Sequence, residues 1–218
     1  IGKAAFMVSG DGTRAVLSNT TGSSSSSIFV LQLSTLSPAI LECDISQSDI
    51  IRSMDDRLDL AKRIDYGNAG YFGRHIDMTE DGSRIAIVSH GRISIFDISG
   101  VGTSSSVHQV GSSISNRNYE LEEKRQRYFA LFGVSLNKNG TIIARLGFAS
   151  SGTGYYSDYE SDDGVAAVYK SNESNEWVQM GSDIAWRGQY GFVWVLRGNH
   201  RMIQLDDLGT TMVIGYPW

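Results

Sequence analysis

Ile76-Asp-Met-Thr-Glu-Asp-Gly-Ser-Arg-Ile-Ala-Ile-Val88 is a short apolar run that stops at Asp81-Gly82 and gives way at once to a second β-rich run. Asp-Gly and Asn-Gly are strong hairpin signals, because a tight turn needs residues that tolerate positive φ. The same unit occurs three more times: Phe6-Met-Val-Ser-Gly-Asp-Gly-Thr-Arg-Ala-Val-Leu17, Val134-Ser-Leu-Asn-Lys-Asn-Gly-Thr-Ile-Ile-Ala-Arg-Leu146 and Met202-Ile-Gln-Leu-Asp-Asp-Leu-Gly-Thr-Thr-Met-Val-Ile214. One hairpin says little. Four in tandem mark a repeat protein.

The rest of each unit repeats as well. Ser27-Ile-Phe-Val-Leu-Gln-Leu33, Gly91-Arg-Ile-Ser-Ile-Phe-Asp97 and Gly164-Val-Ala-Ala-Val-Tyr-Lys170 read as third strands. Ala39-Ile-Leu-Glu-Cys-Asp-Ile45, Val107-His-Gln-Val-Gly111 and Trp177-Val-Gln-Met-Gly-Ser-Asp-Ile184 read as fourth strands. Four antiparallel strands joined by short turns make the blade of a β-propeller. The expected fold is all-β, with blades over about 3–45, 74–111 and 131–184 and a half blade over 200–218, in one segment spanning 1–218. Ile85, Ile87, Ile93 and Ile95 are expected to be buried between blades. Closing a propeller takes at least about four blades. The expectation is therefore a piece of a longer propeller, or an arc completed by neighbouring protein.

The units resemble a family. Tyr71-Phe72-Gly73 and Leu131-Phe132-Gly133 open two of them, Ile214-Gly215-Tyr216-Pro217 closes the last hairpin, and Asp163-Gly164-Val-Ala-Ala-Val-Tyr169 fills a third strand. Together they are similar to the Phe-Gly … Gly-Ala-Pro repeat of integrin-α-type propellers. Trp177-Val-Gln-Met-Gly-Ser-Asp-Ile184 is similar to the fourth strand of FG-GAP-like repeats in large surface proteins. Gly-Ala-Pro is replaced by Val88-Ser89-His90 in one unit and by Leu146-Gly147-Phe148 in another, and Gly91–Asp97 suits a WD40 blade equally well.

The 218 residues permit one domain with a sizeable core. No run approaches the ~18 consecutive apolar residues of a membrane helix. The net charge of −5 and the scattered basic residues argue against nucleic-acid binding. Lys124-Arg125-Gln126-Arg127 follows Glu120, Glu122 and Glu123, which suits pairing along a short helix. Cys43 is the single cysteine, so no disulfide forms within the chain, and its apolar context suits a buried thiol.

In a blade, the first-to-second and third-to-fourth connections share one face, and the remaining connections share the other. The first set reads as short: the Asp-Gly turns, Ser34–Ser37 and Ser171–Glu176. The second set is long: Asn19–Ser27, Phe148–Asp163, Ser46–Gly70, Ser112–Ala130 and Ala185–Asn199, with helical character in Asp49–Arg63 and Tyr119–Phe129. Elaboration is thus expected on one face, and Ser23–Ser27 reads as a flexible loop tip.

Asp158, Glu160, Asp162 and Asp163 before Gly164 resemble the alternating oxygen ligands of a Ca²⁺ loop, against the alternative of a solvated acidic loop. No other cofactor is expected. Tyr155, Tyr156 and Tyr159 on the same loop, with Trp186 and Trp194, are candidate contacts for a protein or a carbohydrate. Asn19 and Asn172 lie in sequons and are candidate glycosylation sites, whereas Asn139 sits in a tight hairpin. His75, His90, His108 and His200 lack metal-ligand spacing, and no hydrolase, P-loop or dinucleotide motif is present. Sequence therefore reads as a non-catalytic interaction or structural module, not an enzyme. Its expected setting is a large extracellular or secretory-lumen repeat protein, its partners other chains or remaining blades. An intracellular WD40-like scaffold is the alternative, and a propeller hydrolase or lyase stands third.

Overall fold

Each hairpin glycine ends a four-residue turn that one side chain closes from within. In the computed structural model, which describes residues 6–21, 25–33, 62–66, 75–89, 92–100, 107–115, 128–150, 163–187 and 203–215, the first hairpin joins β1 (Phe6–Val8) to β2 (Arg14–Thr21). Ser9 accepts the Arg14 N–H on its hydroxyl at 3.0 Å. Thr79 does the same for Arg84 at 2.9 Å, Asn137 for Ile142 at 2.9 Å and Asp206 for Thr211 at 3.0 Å. Only the glycine of each turn enters the left-handed region, with φ between 63° and 72° at Gly12, Gly82, Gly140 and Gly209.

The strands assemble into propeller-type antiparallel blades. The first sheet runs β1–β2–β3 (Ser25–Gln32)–β4 (Lys62–Tyr66). The second runs β5 (Ile76–Met78)–β6 (Arg84–Ser89)–β7 (Arg92–Asp97), with β8 (His108–Gln109) and β9 (Ile114–Ser115) both pairing with β7. The third runs β10 (Tyr128–Leu136)–β11 (Ile142–Ser150)–β12 (Asp163–Ser171)–β13 (Trp177–Arg187). A fourth is begun by β14 (Ile203–Leu205) and β15 (Met212–Ile214).

Several sequence expectations differ from the structure, among them the loop assignments of Ile114–Ser115, Phe148–Ser150 and Ala185–Arg187, which are strand. The outer strand of the first blade is Lys62–Tyr66, whereas Ala39–Ile45 lies outside the described residues. The expected loop Asn19–Ser27 is mostly paired strand, with Asn19 opposite Ser27 and Thr21 opposite Ser25. Backbone pairing begun at the buried Val16 and Val30 runs on through Ser and Thr without needing apolar side chains. No helix occurs among the described residues. Lys62–Arg63 and Tyr128–Phe129, the ends of two expected helical segments, are strand, and the rest of those segments lies outside the described residues.

Period-two alternation sends successive side chains of each strand to opposite neighbours. Ile85 and Ile87 join Val16, Ile28 and Val30 between the first and second blades. Ala86, Val88, Ile93 and Ile95 join Val134, Leu136 and Ile143 between the second and third. Ala144, Leu146 and Ala166 meet Ile203 and Leu205 between the third and fourth. The four isoleucines expected in the core are fully buried.

Polar links repeat across the same interfaces. Arg14 Nη1 donates to the Gly82 carbonyl at 2.8 Å, and Arg84 Nη1 donates to the Gly140 carbonyl at 3.0 Å. Along the innermost strands, the Asp77 carboxylate accepts the Leu136 N–H at 2.7 Å. The Ser135 hydroxyl, one blade on, accepts the Leu205 N–H at 3.0 Å. An inner strand leaves one backbone edge without a strand partner, and a buried N–H there needs an acceptor. The preceding blade supplies it from a side chain.

Candidate interaction site

Antiparallel order places the Asx-Gly turns at one edge of the blades, with the third-to-fourth-strand connections. The chain reaches β4 through residues 33–61, so a long connection leaves from this turn edge. Elaboration confined to one face therefore fails in the first blade, because the outer strand lies further along the chain than Ala39–Ile45. At the opposite edge, β11 connects to β12 through residues 151–162, and β13 continues into residues 188–202. Adjacent strands set the described ends from which these two connections depart side by side. Asp163 pairs with Arg187 and Gly164 with Trp186 at that end of the sheet. Asp163 and Trp186 are thus neighbours at the base of both connections, while Tyr155, Tyr156, Asp158, Tyr159, Glu160, Asp162 and Trp194 lie outside the described residues.

Among the described residues, no group of three or more His, Cys, Asp or Glu side chains is placed to hold a metal ion. Asn19 sits within β2. Asn172 is exposed in the turn before β13, where its Oδ1 accepts the N–H of Ser174 at 3.0 Å and of Glu176 at 2.8 Å.

The turn edge is charged and ordered by its own hydrogen bonds. Asp11 is held below the ordinary carboxylate value by the Ser9 hydroxyl first, then by the Thr13 N–H and hydroxyl. Asp206 is lowered by the Thr211 N–H first and the Thr210 hydroxyl next. At Asp81, burial pushes upward, but the bonds from Ser83 and Thr79 together with the Arg14 charge outweigh it and the net direction is down. Lys138 is raised by its hydrogen bond and ion pair with Glu80, 2.7 Å away. Both partners of that pair are half exposed, so solvent screens it and it contributes little.

A feature that sequence reading missed lies in the outer strands. His108-Gln-Val-Gly-Ser-Ser-Ile114 and Val178-Gln-Met-Gly-Ser-Asp-Ile184 occupy matching places, and neither strand ends at its glycine. In the second blade Phe96 pairs with Gln109, yet Ile93 pairs with Ile114, so the outer strand carries extra residues as a bulge. In the third blade Val168 pairs with Met180 and Ala166 with Ile184, with the same offset. Gly111 and Gly181 take φ of 67° and 69°. The glutamine spans each bulge: Gln109 Nε2 donates to Ser113 Oγ at 3.2 Å, and Gln179 Nε2 to Asp183 Oδ1 at 2.7 Å. The recurring Gln-x-Gly-Ser was the available signal.

The two bulges differ in their surroundings. The third blade's Asn172–Glu176 turn presses onto the bulge of the second, where a Cβ on Gly111 would stand 1.9 Å from the Asn175 carbonyl oxygen. Trp177 Nε1 donates to the Val110 carbonyl at 3.2 Å. Val110 and Ile114 are 6% and 5% exposed there, whereas the matching Met180 and Ile184 are 45% and 50% exposed. Among the described residues, nothing lies within 4 Å of a Cβ on Gly181.

No family model matches the chain, and no curated protein matches it. Solved structures do. It is similar to the periplasmic gluconolactonase of Pseudomonas aeruginosa at 10% identity and a TM-score of 0.42, covering 84% of this chain and 54% of that one. It is similar to the acylaminoacyl peptidase of Pyrococcus horikoshii at 12% identity and a TM-score of 0.40, covering 79% of this chain and 23% of that one. It is similar to a hypothetical selenium-binding protein from Sulfolobus tokodaii at 11% identity and a TM-score of 0.41, covering 79% of this chain and 40% of that one. The chain spans little more than half of the first of these three and less of the others. The expectation that it is not an enzyme is corrected here: propeller-like chains that it resembles include two enzymes, so this architecture gives no ground for excluding catalysis. At these identities the likeness concerns architecture, and no activity passes from them to this chain.

Proposed function

We propose that the chain is an interaction or structural module of FG-GAP-like propeller repeats, which recognises a protein or carbohydrate partner at the edge bearing residues 151–162 and 188–202. One observation supports the reading: the ends of β12 and β13 from which both connections depart are paired, in the register that sets Gly164 beside Trp186. Interlocked blades provide a rigid base, and variable connections on such a base can change specificity without disturbing the core. Tyr155, Tyr156, Tyr159, Trp186 and Trp194 are the proposed anchors, since aromatic side chains dominate interface energies. Ca²⁺ on Asp158, Glu160, Asp162 and Asp163 would order the first connection. The exposed Asn172 sequon supports a secretory or extracellular setting.

The test places a photoreactive residue at Tyr156 and, in a second variant, at Glu173 on the turn edge. One partner should be captured from Tyr156 only. With that partner purified, a Tyr155→Ala/Tyr156→Ala variant should bind it more weakly by about 2 kcal/mol or more while melting normally. Equal capture from both positions would refute the reading.

A further inference from the structure

We infer that the exposed outer half of the third blade is a docking site for a β-hairpin of the same repeat chemistry, supplied by a protein partner and presenting a tryptophan at the base of a tight turn. The face is defined by register. Ile184, Met180 and Val178 pair with Ala166, Val168 and Lys170, so they share the side of the sheet on which the fourth blade packs. The described hairpin β14–β15 covers only the inner part of that side, over Ala144, Leu146 and Ala166. Beyond it, Met180, Ile184 and Val178 are about half exposed, at 45%, 50% and 53%.

What belongs there can be read one blade earlier, where the interface is complete. The same Gln-x-Gly-Ser bulge is covered by the next blade's outer hairpin. Its turn carbonyl rests against Gly111, and its Trp177 indole donates to the Val110 carbonyl. The bulge at Gly181 has the same register offset, the same positive φ and the same glutamine bridge. The matching acceptor is therefore the Met180 carbonyl, and the matching seat for a turn carbonyl is the space beside Gly181, which no described residue fills. A docked hairpin would also pair its inner strand with the outer edge of β15, extending the two-stranded fourth sheet. This proposal concerns the side of the third blade and is independent of the tyrosines proposed for the loop edge.

The test uses the whole 218-residue protein and a synthetic peptide of residues 163–187, which carries both the Asn172–Glu176 turn and Trp177. The Met180 methyl signal is followed by NMR as peptide is added. A saturable shift is expected, and either a Trp177→Ala peptide or a Gly181→Asn protein should weaken binding by about tenfold or more. Asparagine tolerates positive φ, so Gly181→Asn keeps the bulge while filling the seat. Because a free hairpin pays an entropic cost to fold, the same segment is also joined covalently after Ile214, where its effective concentration is high. That fusion should bury Met180 and raise the melting temperature, and its Trp177→Ala form should do neither. No response in either format overturns the proposal, as does a response indifferent to both substitutions. A protein that dimerises alone with Met180 already buried assigns the face to a second copy and overturns it too. Tyr155 and Tyr156 are untouched throughout, so failure here leaves the loop-edge reading to its own test.

Discussion

The two bulge glycines allow one substitution to be made twice in near-identical local sequence with different neighbours. Alanine at either position must adopt a φ near +68°, given 67° at Gly111 and 69° at Gly181, at a shared cost of about 1–2 kcal/mol. At Gly181 nothing among the described residues stands within 4 Å of the new methyl, so the cost ends there. At Gly111 the methyl would lie 1.9 Å from the Asn175 oxygen and 3.1 Å from its carbonyl carbon. That neighbour is backbone, and it cannot yield by rotating a side chain. The Asn172–Glu176 turn must lift, which adds about 1–3 kcal/mol of overpacking. Lifting it also breaks the Trp177–Val110 hydrogen bond, worth about 0.5–1.5 kcal/mol. Urea unfolding should therefore show Gly111→Ala destabilised more than Gly181→Ala by about 2–4 kcal/mol. Equal losses would mean that the second-to-third-blade outer contact is not a tight one, and the docking inference built on it would fall with it.

Asp77→Ala removes the buried acceptor of the Leu136 N–H and should cost about 1–3 kcal/mol in urea unfolding. Asp77→Ser should recover much of that, because Ser135 does the same task one blade on, and equal losses for the two variants would refute the interlock. The lowered carboxylates Asp11, Asp81 and Asp206 contribute stability that is fully present above the ordinary value of 3.8 and is lost as pH falls through their lower folded values. Thermal melts should thus decline below about pH 4. Asp206→Asn, which copies the neutral acceptor Asn137, should flatten part of that decline, and an unchanged acid slope would contradict the assignment. The Tyr155→Ala/Tyr156→Ala variant should melt as the parent does while losing partner affinity; unfolding instead would place those rings in the core.

The inner hairpins were legible because one geometric demand, a positive φ at a fixed offset between apolar runs, leaves a mark that few other structures share. Third strands were legible from alternation, as in Arg92-Ile-Ser-Ile-Phe-Asp97. Lys62-Arg-Ile-Asp-Tyr66 was not, since Lys62 and Arg63 read as the end of a helical segment and Ile64–Tyr66 as loop, while the apolar Ala39–Ile45 competed for the same role. An outer strand needs only one backbone partner, so its composition is loosely constrained. Gly111 reads as a strand end and Trp177–Ile184 as one strand through Gly181, yet each glycine permits a bulge beyond which pairing resumes in a shifted register. The candidate partner face was legible only as composition. Which connections leave the sheet side by side depends on the register of β12 with β13, and that is set by pairing across the chain.

The bonds from Asp77 to Leu136 and from Ser135 to Leu205 bear on how such a chain can change in length. The second and third blades each offer a side-chain acceptor to a waiting N–H of the blade that follows, so what is copied at these two interfaces is a junction. Inserting a whole unit of the second or third kind between those blades leaves these junctions of the same kind, whether Asp or Ser stands at the acceptor position. Inserting part of a unit would set two acceptors or two donors against each other and bury one unsatisfied, at a cost of about 1–3 kcal/mol. Blade number is then free to drift by duplication in integral steps, while fractional steps are penalised at the innermost strands.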